Sequence, residues 1–307
     1  MKACECNESL GNTGVPGCQP LFKVTKKEIF VPTFDSTGAR NSIDLTATFD
    51  QAFLDGKLNE ADASKRWYPT PIIENVVSER AESAFDEAPS GNKDFLKSGT
   101  RSESYEIRNQ SGAYKGQLDK ARCFQVSKYV IDVDGSIRGM IDPNTTGFLF
   151  PIQIDNNSFD VNFNFQTDTT IGKLVVSYDY AQTEDDANLR MIAGSDITAN
   201  LLSASGLLDI NSTVTSITTT GFTVKLEAIY GSASNLIVDQ GLVIGDFSLA
   251  ELSPTPGAVT LLTMTESPNG TYAFTFAAQT SGDVLELTPS KSGRDYTNVI
   301  ANTILIP

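Results

Sequence analysis

The sequence predicts a mainly β protein in two parts: an α+β N-terminal part and an all-β sandwich after it. Three observations predict this. Apolar residues recur two apart in most of the patterned segments, which is the period of a strand. Turn residues return every 8–12 positions in the last third, at Gly221, Gly231, Gly241, 254–257, 268–270, Gly282 and Gly293. Charge is unevenly spread: residues 1–195 hold 20 Lys and Arg against 28 Asp and Glu, whereas 196–307 hold 3 against 10. A boundary near residues 193–196 follows, and the divisions read as 1–20, 21–195 and 196–307.

Residues 1–20 are rich in Gly, Asn, Pro and Cys with no apolar period, and read as an extended arm. "KKEIFVP" is a first strand. In "DLTATFDQAFLDG", Leu45, Phe49 and Phe53 stand at i, i+4 and i+8, predicting a short amphipathic helix capped by Asp44 and stopped at Gly56. Pro69 and Pro71 break the chain after Trp67. "IIENVVSERAES" is a strand and "DEAPSGNKD" a loop at its end. "TRSESYEIRN" alternates, but both of its faces are polar, so one face is expected to meet water or another subunit. "SGAYKGQLDKARCF" predicts a second helix with Ser111 at the cap and Tyr114, Leu118 and Ala121 on one side. "QVSKYVIDVDGSIRGMI" is a hairpin turning at Asp134–Gly135, and "SFDVNFNF" and "KLVVSYDY" complete the long strands.

In the C-terminal part Phe222, Val224 and Leu226 share one face, as do Tyr272, Phe274 and Phe276. Roughly seven strands in 112 residues is the size of an immunoglobulin-like sandwich, although the Cys–Trp–Cys signature of antibody domains is absent.

The chain has 307 residues and a net charge of −15, so a broad basic face for nucleic acid is excluded and a phosphate backbone would be repelled. It has no histidine, which excludes Ser-His-Asp and Cys-His mechanisms while leaving a carboxylate pair open. The overall reading is that it is not an enzyme. Lys2 is followed by Cys and Glu rather than by an apolar stretch, so the expectation is a protein made and used without export. No run approaches the roughly 18 apolar residues that crossing a membrane takes.

Cys4, Cys6 and Cys18 with Cys123 form a formal four-thiolate set, but a zinc ribbon wants paired C-x2-C knuckles, and here C-x-C is followed by eleven residues. They read as free thiols on an arm, with no metal and no cofactor. Asp132, Asp134 and Gly135 share the start of a calcium loop, yet the full pattern is missing and a hairpin turn explains them. Glu184, Asp185 and Asp186 read as a solvated linker. Phe159, Val161, Phe163 and Phe165 read as one core face of a strand, and Trp67 as a packing plug rather than a sugar platform.

"LFKVTKKEIFVPTFD", "SKRWYPTPIIENVVSERAESAFDE", "YKGQLDKARCFQVSKYVIDVDGSIRG" and "SYDYAQTEDDANLRMI" resemble a structural protein of tailed bacteriophages, most nearly the major tail proteins that build the tail tube. The terminal "PNGTYAFTFAAQTSGDVLELTPS" resembles the immunoglobulin-like modules attached to such proteins. The resemblance implies a β sandwich or barrel with a flanking helix, at 111–122. It implies hexameric rings of the chain stacked around a DNA channel, a bridging loop at 85–96, and the arm with Cys4, Cys6 and Cys18 as an assembly element. It also implies a C-terminal module on the outer wall. The partners would be other copies, other tail or connector proteins, passing DNA and, through the module, host-surface glycans, in a virion assembled in the bacterial cytoplasm. Glu103, or Glu106 on the opposite face, is the expected lumen lining. The same layout fits a connector, ring or decoration protein, and less closely a carbohydrate-binding adhesin or a carboxylate hydrolase.

Overall fold

A computed structural model describes Gly14 and residues 21–232, 234–300 and 303–307. The protein is mainly β, with several sheets. The arm expectation, including Cys4, Cys6 and Cys18, lies outside the described residues.

The N-terminal unit runs β1 (Thr25–Pro32), β2 (Ile43–Asp44), α1 (Gln51–Leu58), β3 (Tyr68–Pro69), β4 (Glu74–Arg80), β5 (Ala84–Glu87), β6 (Lys93–Lys97) and β7 (Arg101–Arg108). It continues with α2 (Gly112–Asp119), β8 (Val126–Asp132), β9 (Ile137–Asp142), β10 (Thr145–Phe150), β11 (Ile152–Asn164), β12 (Lys173–Tyr180) and β13 (Leu189–Ile192). All but β5 and β6 join one sheet, whose main path is β2-β10-β9-β8-β11-β12-β7-β4. Strand β11 bends the sheet: Ile152 and Gln153 pair with β8, the rest pairs with β12, and the register slips between Asp155 and Asp160.

The two halves of the sheet therefore face each other. Phe30 and Val126 from one half pack with Tyr105, Ile107, Leu174 and Val176 from the other, closed off at one side by Leu118 of α2. On the reverse side of β1 and β8, Ile29, Val31, Tyr129 and Ile131 meet α1 and Trp67 in a second core. This double covering explains why every residue of β8 is buried.

The C-terminal unit comprises β14 (Leu208–Thr218), β15 (Gly221–Gly231), β16 (Leu236–Val238), β17 (Phe247–Ser253), β18 (Gly257–Val259), β19 (Leu261–Glu266), β20 (Thr271–Phe276), β21 (Val284–Pro289), β22 (Arg294–Asp295), α3 (Thr297–Ile300) and β23 (Thr303–Leu305). The path β19-β20-β15-β14-β22, with β16 on β15, forms one sheet and β18-β17-β21-β23 the other. Phe222, Val224, Leu226, Tyr272, Phe274 and Phe276 point between them, as their alternation predicts.

Several local expectations hold. Ser111 caps α2, its side chain accepting from the Tyr114 N–H. Gly135 turns the β8–β9 hairpin at φ +79°. Trp67 is a core residue between Phe49, Phe53 and Tyr129.

Others are corrected. Helix α1 is capped by Asp50 and runs through Gly56, because the Asp50 carboxylate accepts from the Phe53 N–H. Asp44 instead folds an Asx turn onto Thr46, leaving Leu45 exposed. Phe165 does not continue the core face of β11 and is 81% exposed. The expected loop at 85–96 is a hairpin, β5–β6. The junction between the units lies later than residue 195. Ile197, Leu201 and Ala204 are buried in the second core, Ile197 bridging to Phe49, and the C-terminal sheets begin only at Leu208.

Candidate functional site

The two residues expected to line a channel lie on opposite faces of β7, with different fates. Glu103, Tyr105 and Ile107 point inward, and Glu103 is 4% exposed. This corrects its assignment: a residue enclosed within one subunit cannot line a lumen. Its polar appearance in the sequence reflects a buried ionic partner, not solvent.

That partner is Lys128 on β8, the centre of a cluster drawn from four strands. Lys128 Nζ is 2.6 Å from Glu28 Oε1 and 2.8 Å from Glu103 Oε2, and all three side chains are almost fully buried. The Tyr178 hydroxyl donates to Glu28 Oε1 at 2.6 Å, and the Tyr180 hydroxyl donates to Glu103. Lys128 also hydrogen-bonds the Tyr178 oxygen, and its ammonium lies over the rings of Tyr178 and Tyr180 at 4.5 and 4.8 Å. The local sequence places these groups simply. Glu28 alternates with Ile29 on β1, and Lys128 with Tyr129 on β8, so their side chains turn away from the second core toward the first.

One ammonium faces two carboxylates, so the cluster is short of one positive charge. Burial pushes Glu28 up to about 7; Lys128 opposes this rise and the Glu103 charge reinforces it. Burial also acts to raise Glu103, but the Lys128 charge and hydrogen bonds outweigh it and hold its carboxyl below the usual range. Burial acts to lower Lys128, but the two glutamates overcome it and hold its ammonium well above the usual range. Below about pH 7 the extra proton therefore sits on Glu28. Its carboxyl also neighbours the buried hydroxyl of Tyr105, which burial and the Glu28 charge push well above the usual range.

The pH consequence has a definite sign. Between about 4.5 and 7 the folded protein keeps a proton on Glu28 that the unfolded chain releases. This group's stabilisation is complete below that window and is lost as pH rises through it. Glu28→Gln fixes the neutral form. The midpoint of thermal unfolding of the variant should gain on the parent as pH rises from 5 to 7.5. A constant difference across that range would show that Glu28 does not titrate there.

Glu106 lies on the outer face of β7. It pairs with Lys173 of β12 and accepts from Asn75 at 2.8 Å, and the Lys173 hydrogen bond holds its carboxyl low. The Asp132–Asp134 turn is closed by cations: Arg138 reaches Asp132 at 2.8 Å and Lys23 reaches Asp134 at 2.8 Å. Cys123 is a free, exposed thiol.

The β5–β6 hairpin of the N-terminal unit joins no other sheet. Phe85 pairs with Phe95 across it, ring to ring at 5.8 Å, and Gly91 turns it at φ +82°. Phe85, Phe95 and Leu96 are 55%, 56% and 60% exposed. A two-stranded hairpin by itself is only marginally stable in water. The phenylalanines, separated by the acidic and Pro-Ser-Gly stretch, were the sequence signal for it.

Among the described residues no helix is long and apolar enough to cross a membrane. No protein-family model matches the chain. No curated protein matches it either.

Proposed function

We propose that this protein is a structural subunit of a tailed-bacteriophage virion, most simply the tail tube subunit, forming stacked hexameric rings around a DNA channel and performing no chemistry. The observation that carries this reading is the β5–β6 hairpin, which pairs with no other sheet and exposes Phe85, Phe95 and Leu96, side chains that a neighbouring copy would cover. Head-to-tail insertion of such an arm into a second copy propagates as rings or filaments. The net charge of −15 supports passage of DNA without adhesion. The C-terminal sandwich would be an immunoglobulin-like module on the outer wall, available to host glycans. Other tail or connector proteins would meet the ends of the tube.

The double variant Phe85→Ser with Phe95→Ser tests the reading. Both side chains are more than half exposed, so thermal unfolding of the monomer should change little. Negative-stain images and sedimentation of concentrated protein should show tubes for the parent and monomers for the variant. Closed single rings from the parent would favour a connector or ring role. Monomers from the parent at every concentration would overturn the assembly reading.

A further inference from the structure

The hairpin leaves the body through a narrow neck. Strand pairing places Arg80, the last residue of β4, directly opposite Arg101, the first of β7. One step further the Ala81 N–H donates to the Thr100 carbonyl at 2.9 Å. At Gly99 a Cβ would fall 1.7 Å from the Ala81 carbonyl oxygen, so only glycine lets the two chains cross this closely. Beyond this point the chains continue as β5 and β6.

Like charges directly opposite on paired strands repel. Here a single carboxylate answers both. Asp186 Oδ2 lies 3.0 Å from Arg80 Nη2 and 2.6 Å from Arg101 Nη2. Arg80 also donates to the Gly99 carbonyl at 3.3 Å, and the Arg101 guanidinium lies 5.9 Å from the Tyr180 ring centre. The neighbouring acids of the 181–188 turn are committed elsewhere. Glu184 pairs with Arg40 at 3.5 Å, and Asp185 accepts from the Ala187 N–H of its own turn at 3.0 Å. Among the described residues, no other carboxylate is ion-paired to either arginine.

We propose that Asp186 is the positioning residue of the docking hairpin: by bridging Arg80 and Arg101 it fixes the neck, and so sets the direction in which the apolar arm meets a second copy of this chain. The hairpin and the turn carrying Asp186 are separate in sequence, so the bridge adds a tie between the neck and the body beyond the pairing of β4 with β7. The inference rests on the assembly reading above.

Hydrogen exchange tests it in the full-length monomer at low concentration. In Asp186→Asn, the hydrogen-bonded amides of 84–97 should exchange about fivefold faster, with the amides of β8 unchanged. Adding Arg80→Gln removes the repulsion that Asp186 offsets and should restore much of the protection, a rescue that loss of a generic surface contact would not show. Asp186→Glu should retain it. Unchanged hairpin exchange in Asp186→Asn overturns the proposal. Faster exchange with assembly equal to the parent's at matched concentration upholds the neck bridge and instead removes the hairpin from the assembly contact.

Discussion

Replacing Lys128 by methionine should destabilise the fold at neutral pH by about 3–5 kcal/mol. The substitution fills most of the same volume but removes the one cation between Glu28 and Glu103, both enclosed. Breaking a buried ion pair by removing one partner costs about 3–5 kcal/mol. Whole domains are stable by only about 5–15 kcal/mol. The hydroxyls of Tyr178 and Tyr180 cannot supply the missing charge. Soluble yield and the urea midpoint give the measurement. The triple variant with Glu28→Gln and Glu103→Gln removes the orphaned Glu103 charge along with the cation and should recover most of the loss. A Lys128→Met protein with a parental midpoint would mean that the cluster contributes nothing to stability.

The second large effect concerns where the chain can be cut. A chain ending at Ile192 loses Ile197, Leu201 and Ala204 from the second core and uncovers Leu54, Trp67 and Tyr129 around them. Removing one buried leucine side chain typically costs about 2–5 kcal/mol, and three residues go here together. Lys27 is also stranded. Its ammonium is buried against the carbonyls of Leu202 and Ala204, and burial already lowers it to about 8. The chain ending at Ile192 should therefore aggregate, and a chain ending at Ser205 should fold. The C-terminal sandwich has its own core, and its ties to the first unit include the Arg66–Asp295 ion pair and the hydrogen bond that the Gly293 N–H donates to the Asn59 side chain at 3.1 Å. Circular dichroism and exchange protection of β8 in the two truncated chains would decide it. Equal folding of both would mean that residues 196–205 are not needed to close the second core.

Much of the fold was legible because it is written locally. Alternation found the strands of the sandwich, Asp134–Gly135 marked a hairpin, and Ser111 marked a helix start. Capping was ambiguous where two aspartates stood six residues apart. Asp44 and Asp50 both suit an N-cap, and only Asp50 has its carboxylate on a helical N–H. Tertiary pairing was not legible. Glu103, the first glutamate of "SESYEI", reads as a wet position because its ammonium partner lies 25 residues on, across the fold. The period of 197–204 reveals an apolar face but not which of two cores receives it. The hairpin neck was hidden for the same reason, since Asp186 is remote in sequence from both arginines it bridges.

The closing of the second core by 197–204 also bears on how the protein is made. Lys27 waits for Ala204, 177 residues downstream, and Phe49 for Thr198, 149 downstream. At about 5–20 residues per second, the ribosome takes roughly 10–35 s to traverse the interval from Lys27 to Ala204. Throughout that time β1 is synthesised but its covering segment does not yet exist. Contacts this distant also slow folding once the chain is complete, because the long loop must close before the contact forms. The nascent first unit is therefore a natural client for chaperones, whereas in the C-terminal sandwich the pairing of β14 with β22, Leu208 with Arg294, spans 86 residues.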